Sequence, residues 1–139
     1  ISALKRGFVP SLMPDDFESR TKFLSFDDAT KEVDYLGKTI DLFKDESILI
    51  CQLEGHAKGQ IGALLNTDKK TFLISDAAWL KQNYIDLHLP NPIVRLFFDS
   101  WSNFKTSLYK VHNYHKAHPE TQIIPCHCEE TLKELTYSK

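Results

Sequence analysis

Short apolar runs separated by polar turns fill the middle of the chain, a pattern typical of β-strands. We predict four strands there, at residues 39–43, 47–53, 59–65 and 71–75. The run at 47–53 is almost continuously apolar, which suits a central strand buried on both faces. A polar connection that includes Asn66 and Asp68 separates the last two runs and predicts a β-hairpin.

The C-terminal third is predicted to be mainly helical. Asn91 followed by Pro92 is typical of a helix start, and a residue that precedes proline, here His118, resists helical backbone. One helix should therefore run from residue 92 to just before His118. Apolar residues recur along it at intervals of three and four and predict a stripe packed on a sheet: Ile93, Phe97, Trp101, Phe104, Leu108 and Val111. We predict a strand at 121–125 and a last helix at 129–135.

Residues 1–38 are predicted to form a segment of helix and loop that precedes the first strand. Asp15, with Glu18 three residues later, is expected to cap a short helix that ends at Phe23. A length of 139 residues fits one domain, so residues 1–139 should form a single domain, of which residues 39–139 are the α/β part. Its strands and helices predict a mixed sheet with helices packed on one face.

Composition excludes several classes of protein. Hydrophobic residues make up 42% of the chain, which is too many for a disordered protein. Seventeen Lys and Arg against nineteen Asp and Glu give a net charge of −2, so no basic field favours nucleic acid. The apolar runs are shorter than the roughly 20 residues needed to cross a bilayer. Three Cys are too few for a disulfide framework, which favours free thiols and a cytoplasmic location.

Side chains that can bind metal follow three of the predicted strands. His56, Asp76 and His127 each lie just beyond the carboxyl end of a strand, where ligands collect in open α/β sheets. If Leu65 pairs with Lys70 in the hairpin, Asp76 comes close to the loop that holds His56. The long helix would return the last strand parallel to the hairpin and bring His127 to the same edge. Two imidazoles and a carboxylate suit zinc or iron, although each residue alone fits an ordinary turn, cap or loop position.

Three segments in this order resemble motifs of the metallo-β-lactamase superfamily, and of its lactonase-like members in particular. Residues 53–62, LEGHAKGQIG, are similar to the "GH…PGH.G" loop and the strand that follows it. Residues 72–77, FLISDA, are similar to the "l.GDa" segment, and residues 123–127, IIPCH, to the final "i.pgH" strand. The match covers about residues 41–135 and includes the long helix between the last two motifs.

The resemblance implies the second half of an αββα sandwich that holds two divalent metal ions, usually zinc and in some members iron or manganese. By this analogy His56 binds the first ion, His127 binds the second, and Asp76 bridges them. A water activated by the metals would then attack an ester, a lactone or a similar small-molecule substrate. The alternative is a binding or assembly module that keeps this fold without catalysis.

The chain also departs from the family pattern. The leading ligand motif H-x-H-x-D-H is absent, Gln60 stands where a second His is common, and Ser75 replaces a Gly. We therefore expect the chain to be the C-terminal half of the fold, with weak metal binding and little activity alone. The missing ligands would come from the rest of the gene product or from another chain, including a homodimer partner. One apolar sheet face should then lack its cover.

Three other groups of residues are weaker candidates. Cys126, His127 and Cys128, together with Cys51, could hold a structural zinc, but the C-x-C spacing is tighter than usual. His112, His115 and His118 are explained by a favourable interaction with the C-terminal end of the long helix, and His88 is expected in a loop. Aromatic residues after Asp76 could line a pocket or fill the core: Trp79, Tyr84, Phe97 and Phe98.

Overall fold

Six strands form one mixed sheet in the computed structural model, which describes residues 9–137. β6 runs parallel to β5, and all other neighbouring pairs are antiparallel. The parallel return of the last strand, predicted from the long helical connection, is confirmed. The strands lie side by side in chain order: β1 (Lys31–Val33), β2 (Gly37–Asp41), β3 (Ile48–Gln52), β4 (Ile61–Leu65), β5 (Thr71–Leu73) and β6 (Gln122–Ile124).

The α-helices differ from the prediction mainly in length. The N-terminal helix covers four residues, and its N-cap is Asp16, whose side chain makes no capping hydrogen bond; the predicted capping by Asp15 was wrong. β1 lies in a segment that we predicted as loop, and α2 was not predicted. No helix within residues 9–137 is long and apolar enough to cross a membrane. The α-helices are α1 (Phe17–Arg20), α2 (Lys81–Ile85), α3 (Trp101–Ala117) and α4 (Glu129–Tyr137).

The predicted helix from residue 92 is in fact two segments. A 3₁₀ helix spans Pro92–Phe97, and α3 begins at Trp101 after a break. Ser100 caps α3 by accepting a hydrogen bond from the backbone of Asn103, which fixes the new helix start. Ile93 and Phe97 are 67% and 79% exposed, so the predicted apolar stripe was wrong for these two residues. The later part of the stripe is buried as expected: Phe104, Leu108 and Val111.

One face of the sheet forms the core with α3. A row of large apolar side chains crosses four strands, and each is at most 6% exposed: Leu49, Leu64, Phe72 and Ile123. They belong to the same buried cluster as the apolar residues of α3, and the Phe72 ring meets Tyr114 edge-on. Burial of each such side chain contributes about 1.5–3 kcal/mol, so this face fixes how helix and sheet pack.

The opposite face of the sheet is also apolar. Cross-strand pairing places five aliphatic residues in one row from β2 to β6: Ile40, Ile50, Ala63, Leu73 and Ile124. Successive residues of a strand point to opposite faces, so this row lies on the side away from α3. Ile50 is 6% exposed and Leu73 is 39% exposed. The second face is therefore buried at its centre and open to solvent around β5.

Candidate functional site

The structure brings His56, Asp76 and His127 together at one edge of the sheet. His56 lies in the loop after β3, Asp76 follows β5, and His127 follows β6. The Nε2 atom of His127 is 3.0 Å from Oδ1 of Asp76, and Nε2 of His56 is 3.7 Å from Oδ2. Each imidazole therefore faces a different oxygen of the same carboxylate.

Polar atoms without hydrogen-bond partners are concentrated at this edge. Seven buried side-chain nitrogen or oxygen atoms in the described residues lack a partner, and three of them belong to His56 (Nδ1), Asp76 (Oδ1) and Trp79 (Nε1). Although His127 Nε2 is close to Asp76 Oδ1, the contact lacks the alignment of a hydrogen bond. Buried polar groups in proteins are normally paired, so these three atoms single out this edge of the sheet as a candidate site.

The loop of His56 is held by hydrogen bonds at both of its ends. The backbone N–H of Leu53 donates to the carbonyl of Gln60, and the Gln60 side chain donates back to the carbonyl of Leu53. The Glu54 side chain accepts a hydrogen bond from the backbone of Gly59. These bonds close the loop on itself, which lets the chain present His56 at a fixed place beyond β3.

Asp76 is placed by a tight turn at the end of β5. Ser75 has a positive φ of 49°, and its hydroxyl donates to the carbonyl of Ile61 on β4. The backbone of Ile74 donates to the carbonyl of Ile124, which joins the turn to β6. The hairpin pairs Leu65 with Thr71 rather than with Lys70, so the predicted register was wrong by one residue. The turn nevertheless carries Asp76 to the expected edge.

Aromatic rings surround the two imidazoles. Trp79 lies edge-on to His56 and to His127, with ring centroids 6.1 and 6.4 Å away. Phe98 lies edge-on to His56 at 5.1 Å and packs against Trp79 at 5.8 Å. Of the four aromatic residues named from the sequence, these two line the site. Tyr84 is buried between α2 and α3, and Phe97 is 79% exposed.

Part of the site comes from residues that the sequence analysis missed. Ser107 of α3 donates a hydrogen bond of 2.6 Å to the carbonyl of Glu54 in the His56 loop. The backbone N–H groups of Ser100 and Asp99 donate to the carbonyls of Gly55 and His56. Only Ser107 gives a signal in the sequence, because it is a polar residue at a position that the apolar stripe buries.

The cysteine-rich alternative finds no support in the structure. Cys51 lies in the core on β3, Cys126 is exposed and Cys128 is buried. Burial raises the pKa of Cys51 to about 11, and burial with the charge of Asp76 raises that of Cys126. Burial also opposes ionisation of Cys128, but hydrogen bonds from Thr131 lower its pKa overall. Within residues 9–137, no group of three or more His, Cys, Asp or Glu side chains is arranged to hold a metal ion.

His112, His115 and His118, in α3 and at its C-terminal end, contact neighbouring tyrosines. Nδ1 of His112 is 2.8 Å from the carbonyl of Tyr84, and His115 meets the ring of Tyr84 edge-on. Burial, with a contribution from the charge of His112, lowers the pKa of His115. His118 lies against the ring of Tyr114, and its Nδ1 is 3.5 Å from a carboxylate oxygen of Glu120.

The different environments of Cys126 and Cys51 predict the order in which these two thiols are alkylated. We expect iodoacetamide to label Cys126 first in the native chain, because this residue is exposed. Cys51 is fully buried with a pKa of about 11, so its labelling should require unfolding. Peptide mass spectrometry after timed labelling, with and without urea, checks this order. Equal labelling rates for Cys51 and Cys126 in the native chain would contradict it.

Comparison with solved structures finds this fold in N-acyl homoserine lactone lactonases. A mutant of AiiA from B. thuringiensis, with N-decanoyl-L-homoserine bound at the active site, has a TM-score of 0.56 and 17% identity over 69% of this chain and 36% of that chain. A quorum-quenching N-acyl homoserine lactone lactonase has a TM-score of 0.52 and 19% identity over 63% and 35%. An N-acyl homoserine lactone hydrolase with its product N-hexanoyl-L-homoserine at the catalytic metal center has a TM-score of 0.51 and 16% identity over 69% and 36%.

The chain has part of the lactonase fold. Its mixed sheet with helices packed on one face confirms the predicted α/β class and corresponds to part of a metallo-β-lactamase-like fold. The chain spans about a third of the length of the lactonases that it matches. At 16–19% identity the likeness is one of fold. No known protein family matches the sequence, and no curated protein matches it.

Proposed function

We propose that the chain forms part of a metal-dependent hydrolase of the metallo-β-lactamase fold, with His56, Asp76 and His127 as metal ligands. The observation that carries this proposal is the pairing of two imidazoles with the two oxygens of one carboxylate, next to unpaired buried atoms. Of the unpaired buried atoms, Oδ1 of Asp76 has a lone pair available to a metal, whereas Nδ1 of His56 is the ring nitrogen that does not face Asp76.

The distances within the site fit two ions that share Asp76. Ligands about 2.0–2.1 Å from a tetrahedral zinc ion lie roughly 3.3 Å from each other. The two observed separations, 3.0 Å for His127 and 3.7 Å for His56, lie on either side of this value. His127 with Oδ1 would hold one ion and His56 with Oδ2 the other. Imidazole and carboxylate ligands suit zinc and also admit iron or manganese.

The site needs further ligands from outside the described residues. Each ion would have two donors from this chain, whereas catalytic zinc usually has three protein ligands. No group of three or more such side chains within residues 9–137 is placed to hold a metal ion, so the proposal requires donors from elsewhere. We therefore propose that another polypeptide segment, or a second copy of the chain, completes the centre. The aliphatic row on the second sheet face is the surface against which such a segment would pack.

The surroundings of the site suit hydrolysis of a small ester or lactone. Bound divalent ions would supply an activated water and polarise the carbonyl of the substrate. Trp79 and Phe98 give the site apolar walls. Because the similar structures are N-acyl homoserine lactone lactonases, we propose lactones as the first substrates to assay.

Zinc titration of the 139-residue chain tests the proposal. We expect the ring resonances of His56 and His127 to shift on addition of zinc, with weak binding, and no lactone hydrolysis by the chain alone. NMR of the histidine side chains measures both sites in one experiment, and the rings of His112 and His115 serve as internal controls. Absence of a shift at either His56 or His127 would overturn the metal role. Tight binding of two equivalents of zinc by the chain alone would contradict the proposal that the centre is incomplete.

A further inference from the structure

Three consecutive carbonyl groups of the His56 loop accept hydrogen bonds from one residue within α3 and from the two residues before the helix. Ser107 Oγ donates to Glu54 at 2.6 Å, the backbone of Ser100 donates to Gly55 at 2.9 Å, and the backbone of Asp99 donates to His56 at 3.2 Å. The loop is thus attached to the helix along the three residues that lead to the imidazole. Ser107 supplies the one side-chain donor among the three.

Ser107 occupies a position where a helix facing a core normally carries an apolar residue. It is 4% exposed and lies between Phe104 and Leu108, both of which are buried. A serine within a helix often bonds to the carbonyl four residues earlier, but this hydroxyl reaches 53 residues back along the chain instead. Nothing in the helix itself requires the hydroxyl, so its contribution lies in the contact with the loop.

Glu54 lies two residues before His56. Without this hydrogen bond, its carbonyl would lose the donor that Ser107 supplies. An unpaired buried acceptor is costly, so the loop would shift toward water or toward another donor. The distance between His56 and Asp76 depends on this loop, whereas His127 is carried by the turn between β6 and α4. The contact of Ser107 therefore acts on one imidazole of the site and leaves the other alone.

We propose that Ser107 is a positioning residue that sets the place of His56 relative to Asp76. Its consequence for metal binding rests on the proposed function, but its effect on the His56 ring does not require a metal. Removal of the hydroxyl should displace the imidazole while the fold is kept, because Ala is the best helix former and fits the available space. Loss of a residue that supports a metal ligand typically lowers the metal affinity about tenfold or more.

The test compares Ser107→Ala with Ser102→Ala, an exposed serine on the same helix. Without metal, the His56 ring resonances should move in Ser107→Ala while those of His127 stay in place, and the control should match the wild type. In a zinc titration, the apparent dissociation constant read at His56 should rise about tenfold and that read at His127 should not change.

Two results would overturn the proposal. Unchanged His56 resonances in Ser107→Ala would show that the hydroxyl does not position the ring. Equal displacement of His56 and His127, with a lower unfolding temperature, would show a general structural role instead. If zinc moves neither imidazole in the wild-type chain, the proposed metal function fails, and the zinc-free comparison still decides the role of Ser107.

Discussion

Replacement of Gly55 by Ala is expected to destabilise the chain on the order of 4 kcal/mol, enough to unfold a marginally stable domain. Gly55 has a φ of +131°, a backbone conformation that residues with a Cβ rarely adopt. A Cβ atom at this position would lie 2.0 Å from the backbone nitrogen of Phe104 and 2.3 Å from its Cα. Because both contacts are with the backbone of a packed helix, no side-chain rotation can relieve them. Urea denaturation followed by circular dichroism measures the loss.

Gly59→Ala in the same loop is the matched control. Gly59 also has a positive φ, +74°, but a Cβ there would meet nothing within 4 Å. The expected cost is therefore about 1–2 kcal/mol, from backbone conformation alone. Similar losses in the two variants would show that the close approach of the loop to α3 is not what requires glycine at position 55.

The central strand, the hairpin and the parallel return of the last strand could be predicted from the sequence because local patterns carry most of that information. The continuous apolar run that became β3 indicated a central strand, and β3 indeed lies between β2 and β4. The polar connection between β4 and β5 indicated a hairpin, and the long helical connection indicated the parallel return of β6. These features depend on residues that are close in sequence or on simple rules of connection.

Features that depend on distant contacts could not be predicted in the same way. The break between the 3₁₀ helix and α3 exists because backbone N–H groups at 99–100 donate to the His56 loop rather than to helical carbonyls. The stripe of apolar residues continued across this break, so periodicity alone favoured one long helix. β1 and α2 are short and lack a clear pattern, and packing against the sheet and α3 decides their structure.

The meeting of His56, Asp76 and His127 was predictable for a topological reason. All three follow strands that run in the same direction, β3, β5 and β6, so they lie at one end of the sheet, and this placement survives an error of one residue in the hairpin register. Their metal role stays a prediction. The hydrogen bonds that attach the His56 loop to α3 come from Asp99, Ser100 and Ser107, which are more than 40 residues away in sequence, so no local motif indicates them.

Asp76→Asn is expected to abolish the response to zinc at both imidazoles while leaving the fold intact. The amide has the shape of the carboxylate but no charge, and it offers one good acceptor where the carboxylate offers two. If Asp76 bridges two ions, the apparent zinc affinity should fall at least about 100-fold at His56 and at His127 together, more than for a supporting residue. Histidine NMR during zinc titration measures both effects, and thermal unfolding checks the fold.

Two further variants test whether the effect of Asp76→Asn arises because Asp76 bridges two metal ions. Asp68→Asn removes an exposed carboxylate from the turn between β4 and β5, and its zinc response should equal that of the wild type. His127→Gln should abolish binding at one position and leave a zinc shift at His56, since that imidazole faces the other oxygen of Asp76. A zinc shift that persists at either imidazole in Asp76→Asn would show that the two histidines do not depend on a shared carboxylate. In that case the close contacts around Asp76 would be ion pairs of the folded chain rather than halves of a metal centre.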